Sequence, residues 1–111
     1  MDLILVRRLR VAVVGDRIFV SVFGLIGADR FRAESDEEFV STINDLIRRR
    51  EYSMIIVPER YLDLTKEIRS KLIAEGKIKP IFAFVPEKGL NKRVEELKEL
   101  VSLAIGLRLE I

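Results

Sequence analysis

Val11-Ala12-Val13-Val14-Gly15-Asp16 constrains the fold more than any other stretch of this chain. Four small or branched apolar residues without polar alternation describe a strand buried on both faces. Gly15 allows a sharp turn as the strand ends. Asp16 can then accept hydrogen bonds from the free amides of a following helix. A central strand of an open parallel sheet hands over to its crossover helix in this way, with the connecting loop at the carboxyl edge.

The other segments arrange themselves around that strand. Ile18, Phe19, Val22, Phe23 and Ile26 recur at helical spacing, which predicts a helix over residues 17–26 closed by Gly27. Residues 28–33 alternate and read as a short edge strand. Ser35 and Glu38 form a capping box, with Asp36 and Glu37 suited to the positive end of the helix dipole. Phe39, Val40, Ile43, Leu46 and Ile47 make that helix's apolar face, and Arg48, Arg49 and Arg50 suit its negative end. Residues 52–57 are a second apolar strand stopped by Pro58. Over residues 59–75 the predicted buried face is Tyr61, Leu64, Ile68 and Leu72, and Gly76 ends the helix. Residues 80–85 read as a third buried strand, stopped by Pro86.

Residues 91–105 differ in character. Val94, Leu97, Val101 and Ala104 repeat at steps of three and four, flanked by Leu100 and Ile105. That stripe suits either the chain's own sheet or a partner's coiled coil. Gly106 follows, and Leu107, Leu109 and Ile111 alternate as a last extended piece. Leu3, Ile4, Leu5 and Val6 either lengthen the central strand or form a loose addition before it.

Strand and helix therefore alternate, which predicts an α/β fold. The expected architecture is a small open parallel four-stranded sheet in the order 2-1-3-4, flavodoxin- or receiver-like, with helices on both faces and a C-terminal helix. At 111 residues the chain makes one domain, an α/β body over residues 10–86 with a helix and tail over 91–111.

Composition removes several chemistries. With no cysteine or histidine there is no disulfide, no thiol or imidazole catalysis and no Cys/His metal site. No carboxylate loop of calcium-binding type occurs, so no metal is expected. Nucleotide cofactors are not expected either: the Gly-x-Gly-x-x-Gly cradle is missing after the first strand, and no Walker motif occurs. The serines and threonines have no histidine to activate them, so no catalytic residues are assigned. A phospho-acceptor receiver would need an acidic pair after the first strand and an aspartate after the middle one. The chain offers Asp16 alone, then Pro58-Glu59, with Lys88 as a counterpart of the receiver lysine. A receiver-like signalling or protein-binding domain stays as the alternative reading, and a helix cap is the plainer role for Asp16.

The net charge of +2 is a small difference of large numbers, so the chain is no polycation. Nucleic acid is not the expected partner, although Arg7, Arg8 and Arg10, and Arg48 to Arg50, are basic clusters. Abundant Lys, Arg and Glu suit a thermophilic source. Residues 1–6 are too short to span a bilayer and lack the pattern of a secretory signal, so a cytoplasmic location is expected.

The ordered set of motifs resembles the F subunit of archaeal A-type and vacuolar-type (V-type) ATP synthases. The resemblance rests on residues 11–16, Phe23-x-Leu25-x-Gly27, Pro58-Glu59-Arg60, residues 80–86 with Lys88-Gly89, and residues 97–106. It departs from the family where Val22-Phe23-Gly24-Leu25-Ile26-Gly27 replaces the frequent Gly-Phe-Arg-Leu-Ala-Gly. The resemblance implies a non-catalytic component of the central stalk, bound to the coiled coil of the stalk's D subunit beneath the A/B headpiece and meeting the membrane only through the complex. It implies a mobile C-terminal helix, here residues 91–105. The residues expected to bind partners are Phe23, Leu25, Ile26, Arg60, Leu97, Leu100, Val101, Ala104 and Ile105. Core packing also accounts for the first three, and a solvated helix charge for Arg60.

Overall fold

Residues 10–88 are described in this computed structural model. They form four parallel strands: β1 (Val11–Gly15), β2 (Asp29–Arg32), β3 (Met54–Pro58) and β4 (Ile81–Val85). Three α-helices connect them: α1 (Arg17–Gly24), α2 (Asp36–Arg49) and α3 (Lys66–Ala74). The strand order is β2-β1-β3-β4, as expected from the sequence. The Ser53 amide donates to the Arg10 carbonyl and the Ile81 amide to that of Ser53, each at 2.9 Å, which aligns the amino ends of three strands.

Alternation along the strands divides the core between two faces. Ala12, Val14, Ile55 and Val57 meet Phe39, Ile43, Leu46 and Tyr61 on the face covered by α2, with Ile68 of α3 beside them. Val13 and Ile56 meet Phe19 and Val20 of α1 on the other face. Helix α2 anchors the first layer by burying Phe39, Ile43 and Leu46. Burial of these three contributes at most about 5–9 kcal/mol before entropy is counted.

The predicted caps form. Asp16 Oδ1 accepts from the Phe19 amide at 2.9 Å, and Ser35 Oγ from the Glu38 amide at 3.2 Å. Acids at Asp36, Glu37 and Glu38 and bases at Arg48 and Arg49 complement the α2 dipole.

Three expectations are corrected. The first helix stops at Gly24 rather than near Ile26; the chain then turns and Gly27 takes φ 96°. Residues 59–75 are not one helix but a 3-10 turn (Glu59–Tyr61), a bend, and α3. The Thr65 hydroxyl donates within that bend, 2.9 Å from the Tyr61 carbonyl and 3.1 Å from that of Leu62. It thereby turns Thr65 inward, and Leu64, expected inside, is exposed. Finally, β4 is half-buried rather than buried, because among the described residues it lies at the sheet's edge. The expected C-terminal helix with Leu97, Leu100, Val101, Ala104 and Ile105, the final extended piece and the N-terminal run lie outside the described residues.

Candidate functional site

The carboxyl edge of the sheet, where α/β folds place their ligands, gathers Asp16 after β1, Glu59 and Arg60 after β3, and Glu87 after β4. Arg60 stands between two carboxylates. Its NH2 lies 3.7 Å from Asp16 Oδ2 and its Nε 3.5 Å from Glu87 Oε2. The guanidinium carbon is 4.7 Å from the centre of the Tyr61 ring, and half of the side chain stays accessible. Tyr61 is itself fixed by stacking on Phe39, with centroids 3.9 Å apart, and burial pushes its hydroxyl above the usual tyrosine range.

This cluster holds and presents charge. Asp16 spends one oxygen on the α1 cap and the other on Arg60. Among the described residues, no group of three or more His, Cys, Asp or Glu could hold a metal ion.

Phe23, Leu25 and Ile26 occupy the other end of α1. Because Asp16 caps the helix at the carboxyl edge, its last turn reaches the amino edge, away from Arg60. The Phe23 ring lies tilted against that of Phe19, centroids 5.0 Å apart, and packs against the core, so core packing describes it best. Leu25 and Ile26 do not: they are 42% and 64% exposed. Ile26 borders an open groove of about 570 Å³ whose apolar lining includes Val11, Ala28, Met54 and Ile56. Of the expected partner residues that are described, Arg60 thus lies in a charged cluster at one end and Leu25 and Ile26 on an apolar shoulder at the other.

Sequence reasoning missed a polar knot beside that groove. Arg10 NH2 donates to Asp29 Oδ2 at 2.7 Å, and the Tyr52 hydroxyl donates to the same oxygen at 2.8 Å. Arg10 also lies 3.5 Å from Glu51 and over the Tyr52 ring. The hydrogen bond from Tyr52, then that from Arg10, hold the Asp29 carboxyl below the usual range. Burial, then the bond to Asp29, pushes Tyr52 up to about 12. The second arginine cluster is likewise engaged: Arg48 and Arg49 both pair with Asp45, and Arg49 covers Phe31.

A profile of the ATP synthase (F/14-kDa) subunit family matches residues 11–101. The F subunit of the A-type ATP synthase of Archaeoglobus fulgidus is 35% identical over 101 residues, covering 90% of this chain and 96% of the relative. The chain belongs to the ATP synthase F-subunit family. The corresponding A-type F subunit of Methanocaldococcus jannaschii is 34% identical, over 92% of this chain and 100% of that relative. The crystal structure of the V-type ATP synthase F subunit from A. fulgidus superposes with a TM-score of 0.59 at 30% identity, covering 69% of this chain and 96% of that one. The four-stranded body described above is thus the body of an F subunit. No helix among its described residues is long and apolar enough to cross a membrane.

Proposed function

We propose that the chain is a non-catalytic rotor component of the central stalk. It docks on the coiled coil of the stalk's D subunit and helps couple catalysis in the A/B headpiece to proton or sodium movement through the membrane part. It works on the cytoplasmic side, held to the membrane by the complex alone. The observation that carries this reading is the exposed pair Leu25 and Ile26, the second of them lining an apolar groove, in a chain of the F-subunit family. Exposed apolar side chains grouped at the rim of a groove mark a contact surface.

Arg60 adds a charged contact at the opposite edge, where partial exposure leaves its guanidinium able to meet a partner's carboxylate. The stripe Leu97, Leu100, Val101, Ala104 and Ile105 adds a third contact, reaching toward the headpiece. Stable docking of this kind buries about 1,200–2,000 Å² in total. Co-expression with the coiled-coil protein of the stalk tests the reading: a stable one-to-one complex that raises coupled ATPase activity of the assembled enzyme is expected. Failure to co-purify with that protein, or normal coupling without this chain, overturns it.

A further inference from the structure

The two edges of the sheet are built on different terms. Strand β2 reads Asp29-Arg30-Phe31-Arg32, and such charges discourage another strand from adding there. Strand β4 reads Ile81-Phe82-Ala83-Phe84-Val85 and carries no charge at all. Among the described residues β4 pairs with β3 alone. Since the Ile81 amide donates to Ser53, alternation directs Ala83 and Val85 toward β3 as well. The N–H and C=O groups of Phe82 and Phe84 therefore point away from the sheet. Their rings lie 6.2 Å apart, nearly parallel, on the face shared with α2 and α3, and both are only half-buried. Ile81 is 53% exposed. An uncharged edge with outward backbone groups and two half-covered phenylalanines is a template for one more strand.

We propose that residues 107–111 of the same chain supply that strand, parallel to β4. Leu107, Leu109 and Ile111 alternate with Arg108 and Glu110, so one side of the segment is wholly apolar and the other charged. The segment equals β4 in length and can set its apolar side beside Phe82 and Phe84. The connection, residues 89–106, exceeds the dozen or so residues that a parallel crossover needs. A right-handed crossover carries residues 91–105 over the face that α2 and α3 already occupy. The sheet order becomes 2-1-3-4-5, the doubly wound arrangement in which β4 is no longer an edge. This strand pairing does not rest on the rotor role, but it sets residues 91–105 on the chain's own sheet, so the stripe of Leu97, Leu100, Val101, Ala104 and Ile105 meets a partner only when that segment lifts away.

Amide hydrogen exchange followed by NMR on the full chain tests it. Docking slows the Phe82 and Phe84 amides by about 100-fold or more relative to an unstructured chain. Leu109→Pro and Leu109→Asp restore their exchange by at least about 10-fold while Ala83 and Val85, bonded to β3, stay protected. Cross-strand contacts from residues 107–111 to Phe82 and Phe84 accompany the protection. Fast exchange of Phe82 and Phe84 in the unmodified chain overturns the proposal. So does protection that survives both substitutions. Protection that rises with protein concentration, with a dimer seen by light scattering, assigns the edge to a second copy and overturns it equally.

Discussion

Arg60 and Asp16 face each other across the carboxyl edge, NH2 to Oδ2 at 3.7 Å, although they follow different strands. The same aspartate caps α1 through its other oxygen. Two conservative changes separate these roles. Asp16→Asn keeps an acceptor for the Phe19 amide and loses only a solvent-screened ion pair, so chemical denaturation should register about 0.5 kcal/mol or less. Asp16→Ala removes the cap and should cost about 1–2 kcal/mol. Arg60→Ala should resemble Asp16→Asn in stability. Equal losses for Asp16→Asn and Asp16→Ala would show that the ion pair, not the cap, anchors this corner.

The glycines Gly15 and Gly24 should respond in opposite ways to alanine. A Cβ at Gly15 would lie 2.8 Å from Cδ2 of Phe19, a fully buried ring in the α1 layer. Overpacking there should cost about 1–3 kcal/mol. A Cβ at Gly24 meets only the flexible side chain of Arg30, which is exposed and can move aside. Helix propensity then favours alanine, and Gly24→Ala should be neutral or stabilising by up to about 1 kcal/mol. Thermal unfolding of the two variants, measured side by side, decides the matter.

What the sequence made legible was local. The Ser35 box, the Asp16 cap and the stops at Pro58 and Pro86 act within a few residues, and the order of strands follows from alternation and crossover handedness. Exposure of β4 was not legible from its own apolar run; it depends on which strand lies outermost. Thr65 displaced Leu64 from the buried face because a hydroxyl bonding two carbonyls bends the chain before α3 begins. The knot of Arg10, Asp29 and Tyr52 joins residues separated by 19 and 23 positions, and no periodic pattern reports such a meeting. The shoulder was half legible: Leu25 and Ile26 continue the helical spacing in sequence, yet the turn after Gly24 leaves them outside.

That knot sets the pH response. Asp29 has its pKa lowered on folding, so its contribution is present above the ordinary carboxylate range and lost as pH falls through the depressed value. Tyr52 is raised to about 12, so its contribution is complete below the ordinary tyrosine value near 10 and is lost as pH rises toward 12. Tyr52→Phe removes the hydrogen bond to Asp29 and should cost about 1 kcal/mol at neutral pH. The variant should also lose less stability than the parent between about pH 10 and 12. Denaturation midpoints across pH 3–12 provide the check, and identical alkaline slopes would exclude Tyr52 as the responding group.

The shoulder at the end of α1 yields the sharpest functional prediction. Leu25 and Ile26 are exposed, so Leu25→Asp and Ile26→Asp lose little core contact and should change stability by about 0.5 kcal/mol or less. If they face the stalk coiled coil, each aspartate is buried unpaired in the complex, and affinity should fall by about 2–4 kcal/mol, or 30- to 1,000-fold. Phe23→Asp must behave differently: its ring packs on Phe19 within the layer, so that change should unfold the domain before it reports on binding. Arg60→Glu should weaken docking chiefly through a slower association rate at low salt, with the difference shrinking as salt screens it. Titration calorimetry against the coiled-coil protein, with thermal unfolding of each free variant, separates contact loss from unfolding. Wild-type affinity in both aspartate variants would move the interface away from α1.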